Sequence, residues 1–196
     1  MAAQQRVLAL DISGSRARLA VIDAGGELGR RAEVPNRGGQ AQSYWPAVRA
    51  AAEDLAHGLA AVGISFGGPV DRAGQILSIH VDGWSGIDPA AELGAQLGVP
   101  AVIENDANCG AVGEARFGRW GAVDSLVFLT CSTGIGGGIY SAGHLLRGAR
   151  GLAGELGHLC VDPNGLSCPC GSRGCLEAMC SGTAIARRAT AALSAS

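Results

Sequence analysis

The feature that most limits the fold is a pattern that occurs twice along the chain. Residues 7–11 and 18–22 are apolar runs of strand length joined by Ser13-Gly14-Ser15. Residues 125–130 and the run beginning at Ile139-Tyr140 are joined by Ser132-Thr133-Gly134-Ile135-Gly136-Gly137-Gly138. A strand, a polar glycine turn and a second strand in both halves predict two α/β domains of related topology with a cleft between them. The expected seam is residues 118–123, which gives a first domain over 1–118 and a second over 119–196.

Between these landmarks the pattern fills in. Gly25-Gly26 marks a turn into a third strand over 29–34. Trp45, Val48, Ala52, Leu55 and Leu59 recur at helical spacing, predicting an amphipathic helix over 41–60. A buried strand over 59–66 ends in Gly67-Gly68-Pro69, and a hairpin follows over 74–79. Asp88 as N-cap with Pro89 behind it predicts a short helix over 89–97. A strand over 101–104 runs into Asn105-Asp106-Ala107-Asn108, where a helix to about Phe117 begins. The second half holds fewer elements: two or three strands, a Cys-rich loop and a helix over 184–193. The first domain is expected to be complete and the second partial.

Composition removes several classes of function. All fifteen basic residues are Arg, they are scattered, and net charge is −2, so no basic face for nucleic acid emerges. No apolar run reaches the ~20 residues needed to span a bilayer. The first eleven residues lack the parts of a signal peptide, so the expected location is cytoplasmic. Seven Cys without an export signal argue for reduced thiols or a metal and against a disulfide framework.

Four of those Cys fall between residues 160 and 175, and with His158 they give His158-x9-Cys168-x-Cys170-x4-Cys175. Three thiolates and one imidazole close a tetrahedral shell around zinc with no open position, which makes the expected site structural; a redox or coincidental Cys cluster is the alternative. Cys160 is a spare thiol able to take the place of His158. Cys109, Cys131 and Cys180 lie among apolar or small residues and are expected to be buried and inert.

Both glycine turns can cradle phosphate through backbone amides, and both can equally be plain hairpin turns. Asp11 beside the first turn is an acid able to hold Mg²⁺ through water. Asp106, at a strand-to-helix junction, is a candidate base; Asn105 or Asp106 can also simply cap the helix. Glu155 and Glu177 bracket the zinc loop, and carboxylates, an amide and an imidazole together suit a polyhydroxylated ligand.

Ala153-Gly154-Glu155-Leu156-Gly157-His158, then Cys168-Pro169-Cys170-Gly171 and Gly174-Cys175-Leu176-Glu177, resemble the signature of the ROK family of bacterial sugar kinases and repressors. Gly67-Gly68-Pro69-Val70-Asp71, the Asn105-Asp106 segment and the second glycine turn agree in order and spacing. The resemblance spans about residues 6–186 and implies an actin-like ATPase fold, two ribonuclease-H-like domains closing on ATP and a hexose. It implies Asp106 as general base for ATP-dependent phosphorylation of a glucokinase-type substrate. It further implies Gly68, Asn105, Glu155, His158 and Glu177 around the sugar, and Asp11, Gly14, Ser15, Thr133 and Gly134 around ATP and Mg²⁺. A homodimer is the implied assembly.

Three departures bear on activity. The family's kinases usually carry Asp-x-Gly-Gly-Thr in the first turn, where Ser13 adds a side chain and Ser15 keeps only a hydroxyl. No helix-turn-helix segment precedes Val7, and the family's chains run longer. The expectation is a hexose kinase with weak or absent activity in this short chain. The alternative is a non-catalytic sugar-binding domain of a ROK-type regulator or pseudo-kinase.

Overall fold

The computed structural model describes residues 5–37, 40–77 and 83–194. Packing divides the chain into two units, Met1–Asp106 and Ala107–Ser196.

In the first unit, strands β1 (Arg6–Ile12), β2 (Arg16–Asp23) and β3 (Leu28–Pro35) form an antiparallel meander. Helix α1 (Ala41–Leu55) leads to β4 (Leu59–Phe66), and α2 (Pro89–Leu97) leads to β5 (Ala101–Asn105). The sheet order is β3-β2-β1-β4-β5, with β1, β4 and β5 parallel. Period-2 alternation puts Leu8, Leu10 and Ile12 of β1 on one buried face with Val62, Ile64 and Phe66 of β4. Trp45, Val48 and Leu55 of α1 and Leu93 of α2 belong to the same core. Each such side chain contributes about 1.5–3 kcal/mol when fully buried.

An aromatic knot anchors this core. Trp84 is 1% exposed and meets Tyr44, Trp45 and Phe66 edge-on, at centroid distances of 6.2, 5.7 and 5.2 Å. Such edge contacts favour the ring quadrupoles.

The predicted helix over 89–97 is present. The Asp88 carboxylate accepts from Ala91 N–H at 2.9 Å, and Gly98 ends the helix in the left-handed region. Helix α1 stops at Leu55, short of residue 60, because Gly58 takes φ 65° and turns the chain into β4. Leu59, placed on the helix by its spacing, opens that strand instead. The expected hairpin reduces to one bridge, Val70 to Ile76, with Asp71 Oδ1 accepting from Ala73 and Gln75. Its end, at residues 78–79, lies outside the described residues.

In the second unit, β6 (Leu126–Cys131), β7 (Ile135–Ser141) and β8 (His144–Leu145) form an antiparallel sheet. Helix α3 (Asp106–Phe117) packs on one face of it; the expected seam at 118–123 lies at the far end of that helix. A single 3-10 turn (Leu156–His158), α4 (Leu176–Cys180) and α5 (Gly182–Ser194) complete the unit. Ser181 is buried, and its hydroxyl accepts from Ala184 N–H at 3.2 Å at the start of α5.

The glycine run differs from its reading as one turn. Only residues 132–134 turn, while Gly136, Gly137 and Gly138 lie within β7. They are glycine for packing: a Cβ on Gly138 would meet the Ala107 carbonyl oxygen and stand 2.7 Å from Ala111 Cβ. One on Gly137 would stand 2.7 Å from Leu156 Cδ1 and 2.8 Å from the Gly154 carbonyl oxygen. These strand glycines let α3 and the 153–157 segment close on the two faces of the sheet.

Candidate active site and metal centre

The sequence-predicted residues fall into two groups, one in each unit. In the first unit, parallel pairing aligns Ile12 with Phe66 and Phe66 with Asn105, so β1, β4 and β5 end together. The carboxyl ends of parallel strands are where α/β sheets bind ligands. Asn105 Nδ2 donates to the Gly68 carbonyl at 3.1 Å and to Asp106 Oδ1 at 3.0 Å. Asp106 is exposed, on the first residue of α3. Gly67 stands between its Oδ2 and the β1–β2 turn, where a Cβ would lie 3.8 Å from that oxygen and 3.6 Å from Ser13 Cα.

The β1–β2 turn is built by its own polar groups. Ser13 N–H and Oγ–H both donate to the Arg16 carbonyl, at 2.9 and 3.0 Å. Asn36 braces it through N–H to the Ser15 carbonyl at 2.8 Å and Nδ2 to the Gly14 carbonyl at 3.1 Å. Tyr44 O–H donates to the Ser13 carbonyl at 3.4 Å, and burial pushes this phenol up to about 12, which keeps it a donor. Gly14 has open space around its missing side chain and no left-handed φ, so the fold itself does not demand glycine there. Asp11 lies 3.7 Å from Arg18 across the strand pair and accepts from Ser65 Oγ at 3.4 Å. Sequence reasoning passed over Ser65 and Arg18. The available signal was a lone polar side chain near the end of the apolar 59–66 run, and a lone cation opening the 18–22 run.

In the second unit, His158, Cys168, Cys170 and Cys175 come together with their ligand atoms all within 4.8 Å of one another. Cys168 Sγ stands 3.7 Å from His158 Nδ1, and Cys170 Sγ stands 3.7 Å from Cys175 Sγ. A regular tetrahedron with Zn–S bonds of about 2.3 Å has edges of about 3.8 Å, so the four donors fit that ion. The Ser172 backbone N–H holds the Cys170 thiol down to about 7, whereas burial pushes Cys175 up to about 12. Cys160 is exposed, lies outside this cluster, and pairs with Cys175 only as a backbone bridge. The expectation that Cys131 and Cys180 are buried fails. Cys131 follows the exposed Val127 and Leu129 on the outward face of β6, Cys180 ends α4, and Cys109 is half-buried.

His158 turns Nδ1 toward the thiols and leaves Nε2 3.8 Å from Glu155 Oε2. Glu177 Oε2 accepts from Ile135 N–H at 2.8 Å, beside the turn that carries Thr133 and Gly134. A Cβ on Gly134 would strike that same carboxylate. Thr183, also passed over in the sequence, donates through Oγ1 to the Thr133 carbonyl at 2.8 Å.

The family model described as "ROK family" matches residues 7–195. The chain belongs to the ROK family. Among its ROK relatives, the glucokinase of Thermotoga maritima is 45% identical over 128 residues, 64% of this chain and 40% of that protein. The xylose repressor of Bacillus subtilis is 40% identical over 129 residues, 66% of this chain and 34% of that protein. A crystal structure of a ROK glucokinase from Streptomyces griseus in complex with glucose and AMPPNP superposes with a TM-score of 0.81 at 35% identity. That match covers 97% of this chain and 62% of the glucokinase chain. The fold is therefore the actin-like fold of ROK sugar kinases, and the chain spans less than two thirds of the length of these relatives. Among the described residues, no helix is long and apolar enough to cross a membrane.

Proposed function

We propose that this chain carries the catalytic centre of an ATP-dependent hexose kinase of glucokinase type, with Asp106 as general base. The observation that carries this reading is the setting of Asp106: exposed at the shared end of three parallel strands, fixed through Asn105 to Gly68. In that role the carboxylate takes the proton of a sugar hydroxyl. The hydroxyl oxygen bonds to the γ-phosphorus of ATP, and ADP departs with the bridging oxygen. Gly68, Asn105, Glu155, His158 and Glu177 are assigned to the sugar hydroxyls. Gly14, Ser15, Thr133 and Gly134 are assigned to the phosphates, with Asp11 toward Mg²⁺, which when bound neutralises phosphate charge.

The donor set of His158, Cys168, Cys170 and Cys175 suits a zinc ion that fixes the loop and takes no part in the transfer. With Nδ1 engaged there, His158 presents Nε2 to Glu155 and to ligand, an orientation the metal enforces. A cytoplasmic location and a homodimer belong to the same reading.

Two contacts favour a second reading, a non-catalytic sugar-binding domain. Arg18 stands against Asp11, and Ser13 Oγ is spent on the turn itself, so the first phosphate turn is partly self-satisfied. Coupled ADP release over a panel of hexoses, alongside calorimetric sugar binding, separates the two. The kinase reading expects slow turnover by this chain that Asp106→Asn abolishes while sugar binding persists. Sugar binding with no turnover in either protein supports the second reading, and equal turnover in both removes Asp106 from the role.

A further inference from the structure

The backbone of Ile135, at the exit of the β6–β7 turn, is held at both its N–H and its carbonyl. On its N–H side, Glu177 Oε2 accepts the hydrogen bond at 2.8 Å. On its carbonyl side, Gly157 packs so closely that a Cβ would collide with the Ile135 oxygen and stand 3.0 Å from its carbonyl carbon. Glu177 lies two residues after Cys175, in the first turn of α4, for which Cys175 is the N-cap residue. Gly157 immediately precedes His158. The two segments that hold Ile135 are thus the two that supply the first and last residues of the Cys₃His cluster.

The rest of the turn is held by the same part of the chain. Gly182 N–H donates to the Ser132 carbonyl at 2.8 Å, and Thr183 Oγ1–H to the Thr133 carbonyl at 2.8 Å. Ser181, which caps α5, donates through its N–H to the Glu177 carbonyl at 3.1 Å. Beside the cluster, the two arms of this irregular loop are joined by backbone hydrogen bonds, Leu176 N–H to the Leu159 carbonyl at 2.9 Å and Val161 N–H to the Gly174 carbonyl at 2.8 Å.

We infer that the metal cluster is the clasp of a grip on the β6–β7 turn, and that Glu177 is a positioning residue for that turn. A bound ion ties His158 to Cys175 and, with these backbone bonds, fixes the spacing between Gly157 and Glu177 and hence the pose of the Ile135 backbone. Glu177 then acts through a backbone amide, in addition to or in place of touching sugar. The consequence for binding rests on the proposed phosphate role of Thr133 and Gly134: metal occupancy controls affinity for a nucleoside polyphosphate through Gly157 and Glu177.

The test is residue-resolved amide exchange on the zinc-loaded chain, the chelated chain, Glu177→Gln and Glu177→Ala, with titration of MgADP and glucose into each. Chelation and Glu177→Ala are each expected to speed exchange at Ile135 by roughly 10- to 100-fold, the range for losing a hydrogen bond to an ionised acceptor. Exchange at Tyr140, paired with Leu126 at the end of the β6–β7 ladder far from the turn, should stay unchanged. Glu177→Gln keeps an acceptor oxygen and should restore most of the protection. MgADP affinity should fall in step with Ile135 protection. Unchanged Ile135 exchange on chelation overturns the clasp, and unchanged Ile135 exchange in Glu177→Ala overturns the positioning role. Faster Ile135 exchange with unaltered MgADP affinity supports the clasp and counts instead against the phosphate reading of the turn.

Discussion

Gly113 and Gly138 make a paired test of how α3 is placed. Gly113 sits in α3 with open space around it, so Gly113→Ala adds only helix propensity, about 0.8–1.0 kcal/mol of stabilisation. Gly138→Ala adds the same methyl group against the α3 backbone at Ala107 and 2.7 Å from Ala111 Cβ. Comfortable carbon–carbon contact is about 3.5–4.0 Å, so the helix must retreat by about 1 Å. Overpacking of that kind costs about 1–3 kcal/mol. For a unit of this size, each kcal/mol moves Tm by about 4–8 °C, so the two alanines should shift Tm in opposite directions. Asp106 is the first residue of the displaced helix, and about 1 Å of misplacement costs about 100-fold in rate. Thermal unfolding by far-UV circular dichroism measures the first effect and single-turnover ADP release the second. Stabilisation by Gly138→Ala, or unchanged turnover in it, would refute this account of β7.

Other outcomes follow from single contacts. Asp88→Ala removes the acceptor for Ala91 N–H and should cost about 0.5–2 kcal/mol in a urea melt, with no change in metal content. Asn105→Ala frees the Asp106 carboxylate from its neighbour and should weaken sugar binding and turnover together; an effect on stability alone would argue against its assigned role. Zinc affinity should rise with pH. Cys175, at about 12, is protonated throughout the neutral range, and Cys170, at about 7, gains its proton below neutrality. Binding therefore displaces at least two protons below pH 7, and affinity should climb about 100-fold per pH unit there and less steeply above. Competition against a chromophoric chelator at pH 6 and 8 measures this, and a flat profile would contradict it.

The meeting of His158, Cys168, Cys170 and Cys175 was the most legible part of the sequence, because His and Cys at short spacing in a glycine- and proline-rich loop have few other reasons to coincide. The N-terminal cap of α2 was equally open to view, since Asp88-Pro89 acts within a few residues of the helix it starts. What stayed hidden depended on distant partners. Nothing local reveals that Gly138 makes room for Ala111, or that Gly134 makes room for the Glu177 carboxylate. A glycine that admits a neighbouring backbone and a glycine that admits a phosphate look alike in one dimension. The same holds for α1, whose helical spacing continues to Leu59 although Gly58 has already turned the chain. Thiol burial misled for a related reason: Cys131 has apolar sequence neighbours, but strand alternation points it away from α3.

The aromatic knot around Trp84 gives the protein an optical asymmetry. Two of its three indoles, Trp45 and Trp84, are enclosed in the first unit, while Trp120, in the second, is 77% exposed beneath the Arg119 guanidinium. Enclosed indoles emit at shorter wavelength and shift red when water reaches them, whereas an already wetted indole has little further to move. Tryptophan emission is therefore a reporter of Met1–Asp106 and nearly blind to Ala107–Ser196. Where the units unfold separately, a melt followed by fluorescence alone records Asp88→Ala and passes over Gly138→Ala. Fluorescence and circular dichroism together would show whether the two units unfold as one.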